Sequence, residues 1–288
     1  MEFPNYFADA ESSFKQASFI LFGVPFEKTS SFRHGADKAP FEVRQASWNF
    51  ERYDLRTGIN FEEILVHDYG DLDVSKMNSK QVFDATKTFT ATLLKEQKIP
   101  FAIGGDHSIT PGIVSAFPKD IAVISLDAHM DFRQEYKNDI YNHACVIRRV
   151  ADHVPLKNIA VLGIRSGEKE EYELAQKENL FFRDAFTINK LGLKKIIQQT
   201  KTLLKGKKIY LTLDIDVIDP AYAPGTSTPE PLGLTPLQVI EIIEAFSPQL
   251  IGGDLVEVCP PYDHGQTAVL AAKLIQTSIS WIWRSSQA

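Results

Sequence analysis

The feature that most constrains this chain is an alternation of two hydrophobic periods. Short apolar, β-branched runs recur at Ser18–Val24, Ile64–Asp68, Ile99–Ile103, Ile121–Leu126, Asn158–Ile164, Leu180–Phe182, Lys208–Leu213 and Gln249–Glu257. Several are apolar almost throughout, as strands covered on both faces tend to be. Segments of helical period lie between them. Asn78 is placed to cap a helix running to about Gln97. Thr187 begins another through Ile188, Leu191, Leu193, Ile196, Ile197 and Leu203, with Gly206 as its stop. Thr235-Pro236 pairs an N-cap with proline at the first helical position, and a last helix spans about Gln266 to Trp283. Such alternation predicts an α/β fold, a parallel sheet between helical layers. Ligands of such sheets sit at the carboxyl ends of the strands, so chemistry is expected just after the apolar runs.

The 288 residues hold no repeat, low-complexity tract or long Gly/Ser linker, so one domain over residues 1–288 is expected. Apolar residues make up 44%, enough for a full core. Lys+Arg number 31 and Asp+Glu 37, a net charge of −6 that argues against a protein built to grip nucleic-acid phosphates. No apolar run reaches about 18 residues, so no membrane span is expected. Met1 to Ala10 has no apolar signal core, and two cysteines, Cys145 and Cys259, cannot build a disulfide framework. A reducing cytoplasm is the expected location.

Four polar clusters follow apolar runs. They are Gly104-Gly105-Asp106-His107-Ser108-Ile109-Thr110, Asp127-Ala128-His129-Met130-Asp131, Asp214-Ile215-Asp216, and Glu257. In an extended segment, residues i, i+2 and i+4 point the same way, so Asp127, His129 and Asp131 converge on one side and Asp214 and Asp216 on another. Clustered carboxylates repel and raise one another's pKa, and a bound cation removes that problem. His107 adds a second imidazole. Six ligand side chains are too many for one tetrahedral zinc and suit two metals bridged by carboxylates. Four Asp and two His without a thiolate favour Mn²⁺ over Zn²⁺, with Fe²⁺, Co²⁺ and Ni²⁺ also compatible. Each cluster also has a plainer reading, since an Asp after a strand is often a turn or capping residue.

Taken together, the clusters resemble the ureohydrolase family of arginases, agmatinases and related guanidine hydrolases. The matching segments are Gly23-Val24-Pro25-Phe26, Arg33-His34-Gly35-Ala36, Gly104–Thr110, Ser125–Asp131, His143–Arg149, Leu213–Gly233 and Gly253–Asp263. The resemblance implies a three-layer α/β/α fold with a mostly parallel sheet of eight strands. It implies two Mn²⁺ per subunit, one on His107, Asp127, Asp131 and Asp214, the other on Asp127, His129, Asp214 and Asp216. It implies that Asp131 orients the attacking water species, that His143 moves the proton to the leaving amine, and that Glu257 faces the substrate guanidinium. It also implies a homo-oligomer, a trimer or a hexamer.

The segment Phe132–Asn142 lacks the polar arginase loop and resembles the agmatinase side, as do His143-Ala144-Cys145, Arg148-Arg149 and Pro260-Pro261-Tyr262-Asp263. Agmatine, cleaved to putrescine and urea, is therefore the expected substrate, with Glu135 or Asp139 as candidates for meeting its distal ammonium. Aminopropyl-agmatine, guanidinobutyrate, guanidinopropionate and arginine stay as alternatives. A single-zinc deacetylase and a non-catalytic guanidine-binding or oligomer-regulating protein are the readings from other classes. His34 and Ser227 depart from the usual agmatinase pattern. The acidic run Glu168–Glu173 reads as a solvated helix start, favoured by the helix dipole. Cys145 and Cys259 read as packing residues, and Trp281 and Trp283 as core or subunit contacts.

Overall fold

A computed structural model of the chain describes residues 3–287; residues 1–2 and 288 of the expected 1–288 span lie outside the described residues. Among the described residues, eight strands form one parallel sheet: β1 Phe19–Val24, β2 Val66–Asp71, β3 Ile99–Gly104, β4 Ala122–Leu126, β5 Ile159–Ile164, β6 Phe181–Asp184, β7 Ile209–Asp214 and β8 Leu250–Val256. Their order is β2-β1-β3-β8-β7-β4-β5-β6, and every pairing is parallel. A two-stranded ribbon, Tyr53–Asp54 with Ile59–Asn60, lies apart from this sheet.

Strand alternation divides the core into two faces. Phe19 and Leu21, Ile124 and Leu126, and Ile209 and Leu211 enter one cluster. Ile20 and Phe22, Val123, and Tyr210 enter the other. The first cluster is closed by α1 Ala39–Ser47, α6 Ala185–Leu191, α7 Leu193–Leu203, α8 Pro236–Phe246 and α9 Gln266–Ser286. The second is closed by α2 Ser79–Lys95, α3 Thr110–Val114, α4 Val146–Ala151 and α5 Lys169–Lys177. This is the expected three-layer α/β/α arrangement. Trp281 and Trp283 pack against the first cluster. Among the described residues no helix is long and apolar enough to cross a membrane.

Local signals place the helices. Asn78 and Thr235 cap α2 and α8 in full capping boxes with Gln81 and Gln238, and Pro236 occupies the first helical position. The helix expected to begin at Thr187 is instead two, because Gly192 adopts φ 84° and divides α6 from α7. α6 starts at Ala185, where the Asp184 side chain accepts the Thr187 N–H. Apolar runs mark the central strands closely and the edges less well. β2 runs on through Asp68, Tyr69, Gly70 and Asp71, and β6 through Arg183 and Asp184, because edge strands tolerate polar residues.

Candidate metal centre

The clusters that follow β3, β4, β7 and β8 meet at the carboxyl end of the sheet's middle. Asp127 Oδ1 accepts the His129 N–H at 2.7 Å, and Asp214 Oδ1 accepts the Asp216 N–H at 2.9 Å. Asp216 Oδ1 accepts the Ala128 N–H at 3.0 Å, which ties the two loops together. Each of these three carboxylates commits one oxygen to a backbone N–H and turns the other inward. Asp127 Oδ2, Asp214 Oδ2 and Asp131 Oδ2 lie 3.2, 3.3 and 3.4 Å from His107 Nδ1. Asp216 Oδ2 lies 2.9 Å from His129 Nδ1.

Two donor groups result. Ligand atoms of His107, Asp127 and Asp214 lie within 4.8 Å of one another, and so do those of Asp127, His129 and Asp216. Asp127 belongs to both. The route to this convergence differs from the expected extended alternation. β4 ends at Leu126, and Asp131 takes φ 49°. Asp214 ends β7 and caps the short turn Ile215–Val217 that holds Asp216. Loop geometry, not strand pleat, aims the side chains.

These residues fit a pair of hard divalent cations. His107 Nδ1 and Asp127 Oδ2 are buried and have no hydrogen-bond partner. Burial and the neighbouring aspartates push Asp214 well above the carboxylate range, and burial with Asp127 pushes Asp131 up to about 7. Burial alone would lower the two imidazoles, but the surrounding carboxylates hold His107 and His129 well above the ordinary histidine range. Without cations the cluster depends on shared protons. Imidazole nitrogen and carboxylate oxygen are the donors that first-row divalent ions accept.

Glu257 and His143 stand beside this centre. Glu257 takes φ 63°, a conformation costing a side-chain-bearing residue about 1–3 kcal/mol. Backbone bonds hold it there: its N–H donates to Gly105 O at 2.8 Å, and its carbonyl accepts Thr226 Oγ1 at 3.0 Å. Gly105 is required at that approach, since a Cβ would meet the Phe26 carbonyl oxygen at 2.1 Å. Glu257 Oε1 accepts the His107 N–H at 2.8 Å and faces His143 Nδ1 at 3.2 Å. Glu257 Oε2 is buried without a partner. Burial would raise the Glu257 carboxyl, but contact with His143 holds it below the usual range. Burial would lower His143, but Glu257 holds it above its usual value.

Sequence reasoning missed how His143 is placed. Its N–H donates to Thr29 Oγ1 at 2.9 Å, and Thr29 donates from both its N–H and its hydroxyl to Asp106 Oδ2 at 3.0 Å. The Asp of the Gly-Gly-Asp-His cluster therefore anchors the catalytic-histidine candidate and does not join the donor groups.

A cavity of about 270 Å³ is lined by His129, Asp131, His143, Asp214, Asp216 and Glu257, together with Arg133, Tyr136, Glu168, Glu171, Thr228 and Glu230. The acidic run is thus not simply a solvated helix start. Glu168 and Glu171 line the cavity, and Glu171 is only 6% exposed. Its Oε1 accepts the Phe132 N–H at 2.6 Å, and its Oε2 lies 3.5 Å from Arg133 Nε. Glu135 and Asp139 do not line it; Asp139 instead accepts Ser79 Oγ at 2.6 Å and the Tyr141 N–H at 2.8 Å. Helix spacing on α5, invisible in the loop itself, could have pointed to Glu171.

Ser227 is buried without a positive φ, so its position does not demand glycine. The His34 side chain is 72% exposed beside Glu27 and outside the cavity lining. His67 and His153 contact the carbonyls of Ser12 and Phe117. Burial pushes both Cys145 and Cys259 up to about 12, which suits packing rather than reactivity.

An eight-stranded parallel sheet in this order, with overlapping imidazole–carboxylate groups at its strand ends, defines an α/β/α hydrolase of the ureohydrolase class. The chain belongs to the arginase family, whose model matches residues 17–280. It is 33% identical to an agmatinase of Bacillus cereus, over 96% of each chain. It is 35% identical to an N(1)-aminopropylagmatine ureohydrolase of Thermococcus kodakarensis, over 92% of this chain and 91% of that one. The crystal structure of the agmatine ureohydrolase of Thermoplasma volcanium superposes with a TM-score of 0.94 at 38% identity, covering 99% of this chain and 96% of that one.

Proposed function

We propose that the chain, as one catalytic domain, is a binuclear manganese agmatinase that hydrolyses agmatine to putrescine and urea. The observation that carries this reading is the unpartnered, buried Glu257 Oε2 beside two donor groups that share Asp127. His107, Asp127, Asp131 and Asp214 would hold one ion, and Asp127, His129, Asp214 and Asp216 the other. When bound, a pair of such ions supplies a water acidic enough to act as a nucleophile near neutral pH. Glu257 Oε2 pairs with the substrate guanidinium in a charge-assisted hydrogen bond. Asp131, turned inward by its left-handed backbone, orients the nucleophile towards the guanidinium carbon. His143 is held at Nδ1 by Glu257 and above its usual pKa, so its other nitrogen can deliver a proton to the leaving amine.

The charge around the cavity supports a cationic tail. Glu168, Glu171 and Glu230 line it against Arg133, whose guanidinium already lies 3.5 Å from Glu171 and 3.7 Å from Glu168. A guanidino acid would meet more carboxylate than free cation there. The longer trication named as the Thermococcus relative's substrate, aminopropylagmatine, has the same charge logic and is the second reading. A homo-oligomer, trimer or hexamer, in the cytoplasm completes the proposal. The test is urea release after manganese loading, comparing agmatine, aminopropyl-agmatine, arginine, guanidinobutyrate and guanidinopropionate by kcat/KM. Agmatine should lead; a clear lead for arginine or either guanidino acid would refute the tail assignment.

A further inference from the structure

Asp254 interrupts the apolar run of β8 and is 0% exposed. Among the described residues no Lys, Arg or His nitrogen pairs with it directly. Burying a carboxylate this way is costly unless something compensates. Three hydroxyls surround it: Thr212 Oγ1 donates to Oδ1 at 2.6 Å, while Tyr210 Oη and Thr110 Oγ1 donate to Oδ2 at 2.7 and 3.0 Å. Burial pushes its carboxyl up, and His107 with these hydroxyls opposes that. Thr212 Oγ1 also lies 2.9 Å from His107 Nε2.

Counting protons orders the chain of bonds. With Asp254 ionised, each hydroxyl has one hydrogen to give, and that of Thr212 goes to Asp254 Oδ1 at 2.6 Å in preference to Thr110 Oγ1 at 3.3 Å. Thr212 must then accept the Nε2–H of His107. With Nε2–H committed there, Nδ1, buried and aimed at the inward oxygens of Asp127, Asp131 and Asp214, is the nitrogen that gives up its shared proton when a cation binds. We propose that Asp254, acting through the Thr212 hydroxyl, is a positioning residue that fixes the His107 tautomer and strengthens it as a metal donor on one side of the centre. His129 Nδ1 contacts Asp216 and Asp127, and among the described residues its Nε2 has no hydroxyl relay and faces Glu230 Oε1 at 4.0 Å, so the effect is confined to the His107 side. Outer partners of ligating imidazoles commonly change metal affinity by about 10–100-fold.

The inference rests on the metal reading above, and the experiment separates the two. Manganese binding to the chelated full-length protein is titrated by calorimetry for wild type, Thr212→Val, Thr212→Ser and Asp254→Asn, with electron paramagnetic resonance of each loaded form. Wild type should bind two ions per chain with the signal of a coupled pair. Thr212→Val and Asp254→Asn should weaken one ion by about 10–100-fold, leave the other within about threefold, and show an isolated-ion signal at substoichiometric loading. Thr212→Ser, which restores the hydroxyl, should stay within about threefold of wild type. Wild type binding no manganese would overturn the metal reading and this inference with it. With two ions bound to wild type, unchanged affinities in Thr212→Val, equal weakening of both ions, or a Thr212→Ser variant as weak as Thr212→Val would overturn the relay alone. Should Asp254→Asn fail to fold, the Val/Ser pair at Thr212 decides the question.

Discussion

Arg44 offers a stability prediction that can be worked from the geometry. Its guanidinium is fully buried on α1, with Nε and Nη2 on the two oxygens of Asp68 at 2.8 and 2.9 Å and Nη1 on Asp71 at 2.5 Å. The side chains of Arg44 and Asp68 are 0% exposed and that of Asp71 is 36% exposed. In Arg44→Met, Asp71 keeps water, and Asp68 is the charge left stranded. Breaking a buried ion pair from one side costs about 3–5 kcal/mol. Asp68 retains two backbone donors, Phe7 N–H at 2.7 Å and Gly70 N–H at 3.0 Å, which places the cost near the lower end, about 3 kcal/mol. Neutralising the stranded group in Arg44→Met/Asp68→Asn should recover at least about 1 kcal/mol. The assay is urea unfolding of the chelated protein at one protein concentration, followed by tryptophan fluorescence and far-UV circular dichroism. Coincident transitions license a two-state reading, and the cost is taken from midpoints at a shared slope. Urea release per folded chain should not change, because Arg44 does not line the cavity. A single-variant cost below about 1 kcal/mol, or a double variant no better than the single, would refute the buried-charge argument.

Asp127→Asn replaces a residue common to both proposed metal sites. Bound manganese should fall below two per chain, and urea release should drop on the order of 10³-fold, a barrier increase of about 4 kcal/mol. Retention of two ions measured by elemental analysis would count against the bridging role. Stability of the chelated protein should depend on pH in a definite sense. With Asp131 at about 7 against an ordinary 3.8, the folded state binds a proton that the unfolded state has lost, so stability falls as pH rises between those values. Raised His107 and His129 act in the same sense, lowered Asp127 in the opposite one. Urea midpoints at about pH 5 and about pH 8, with and without manganese, measure this; chelated protein more stable at the higher pH would contradict it, and bound manganese should reduce the slope.

Much of the sheet was readable because its central strands are buried on both faces, so an apolar run and a strand nearly coincide. Where that physical link weakens, so does the reading: β2 and β6 at the edges carry Asp71 and Arg183, and a single glycine at 192 splits what periodicity joins. The donor clusters were readable for a related reason. A parallel α/β sheet delivers its strand ends to one place, so polar residues that follow separate apolar runs become neighbours without any long-range knowledge.

Capping residue and proposed ligand are compatible roles at Asp214. A carboxylate has two oxygens, and here Oδ1 caps the following turn while Oδ2 faces His107. The same division holds at Asp127 and Asp216. The capping bond is what aims the second oxygen, so the plain reading is the mechanism by which the sharper geometry is achieved. The residues that escaped notice act across sequence distance. Glu171 reaches back 39 positions to the Phe132 N–H, and Asp254 reaches His107 only by way of Thr212. Periodicity and local motif carry no information about such pairs. A lone Asp inside an apolar strand nevertheless signals that some buried hydrogen-bond network must exist to hold it, and at Asp254 that network ends on a donor of the proposed metal centre.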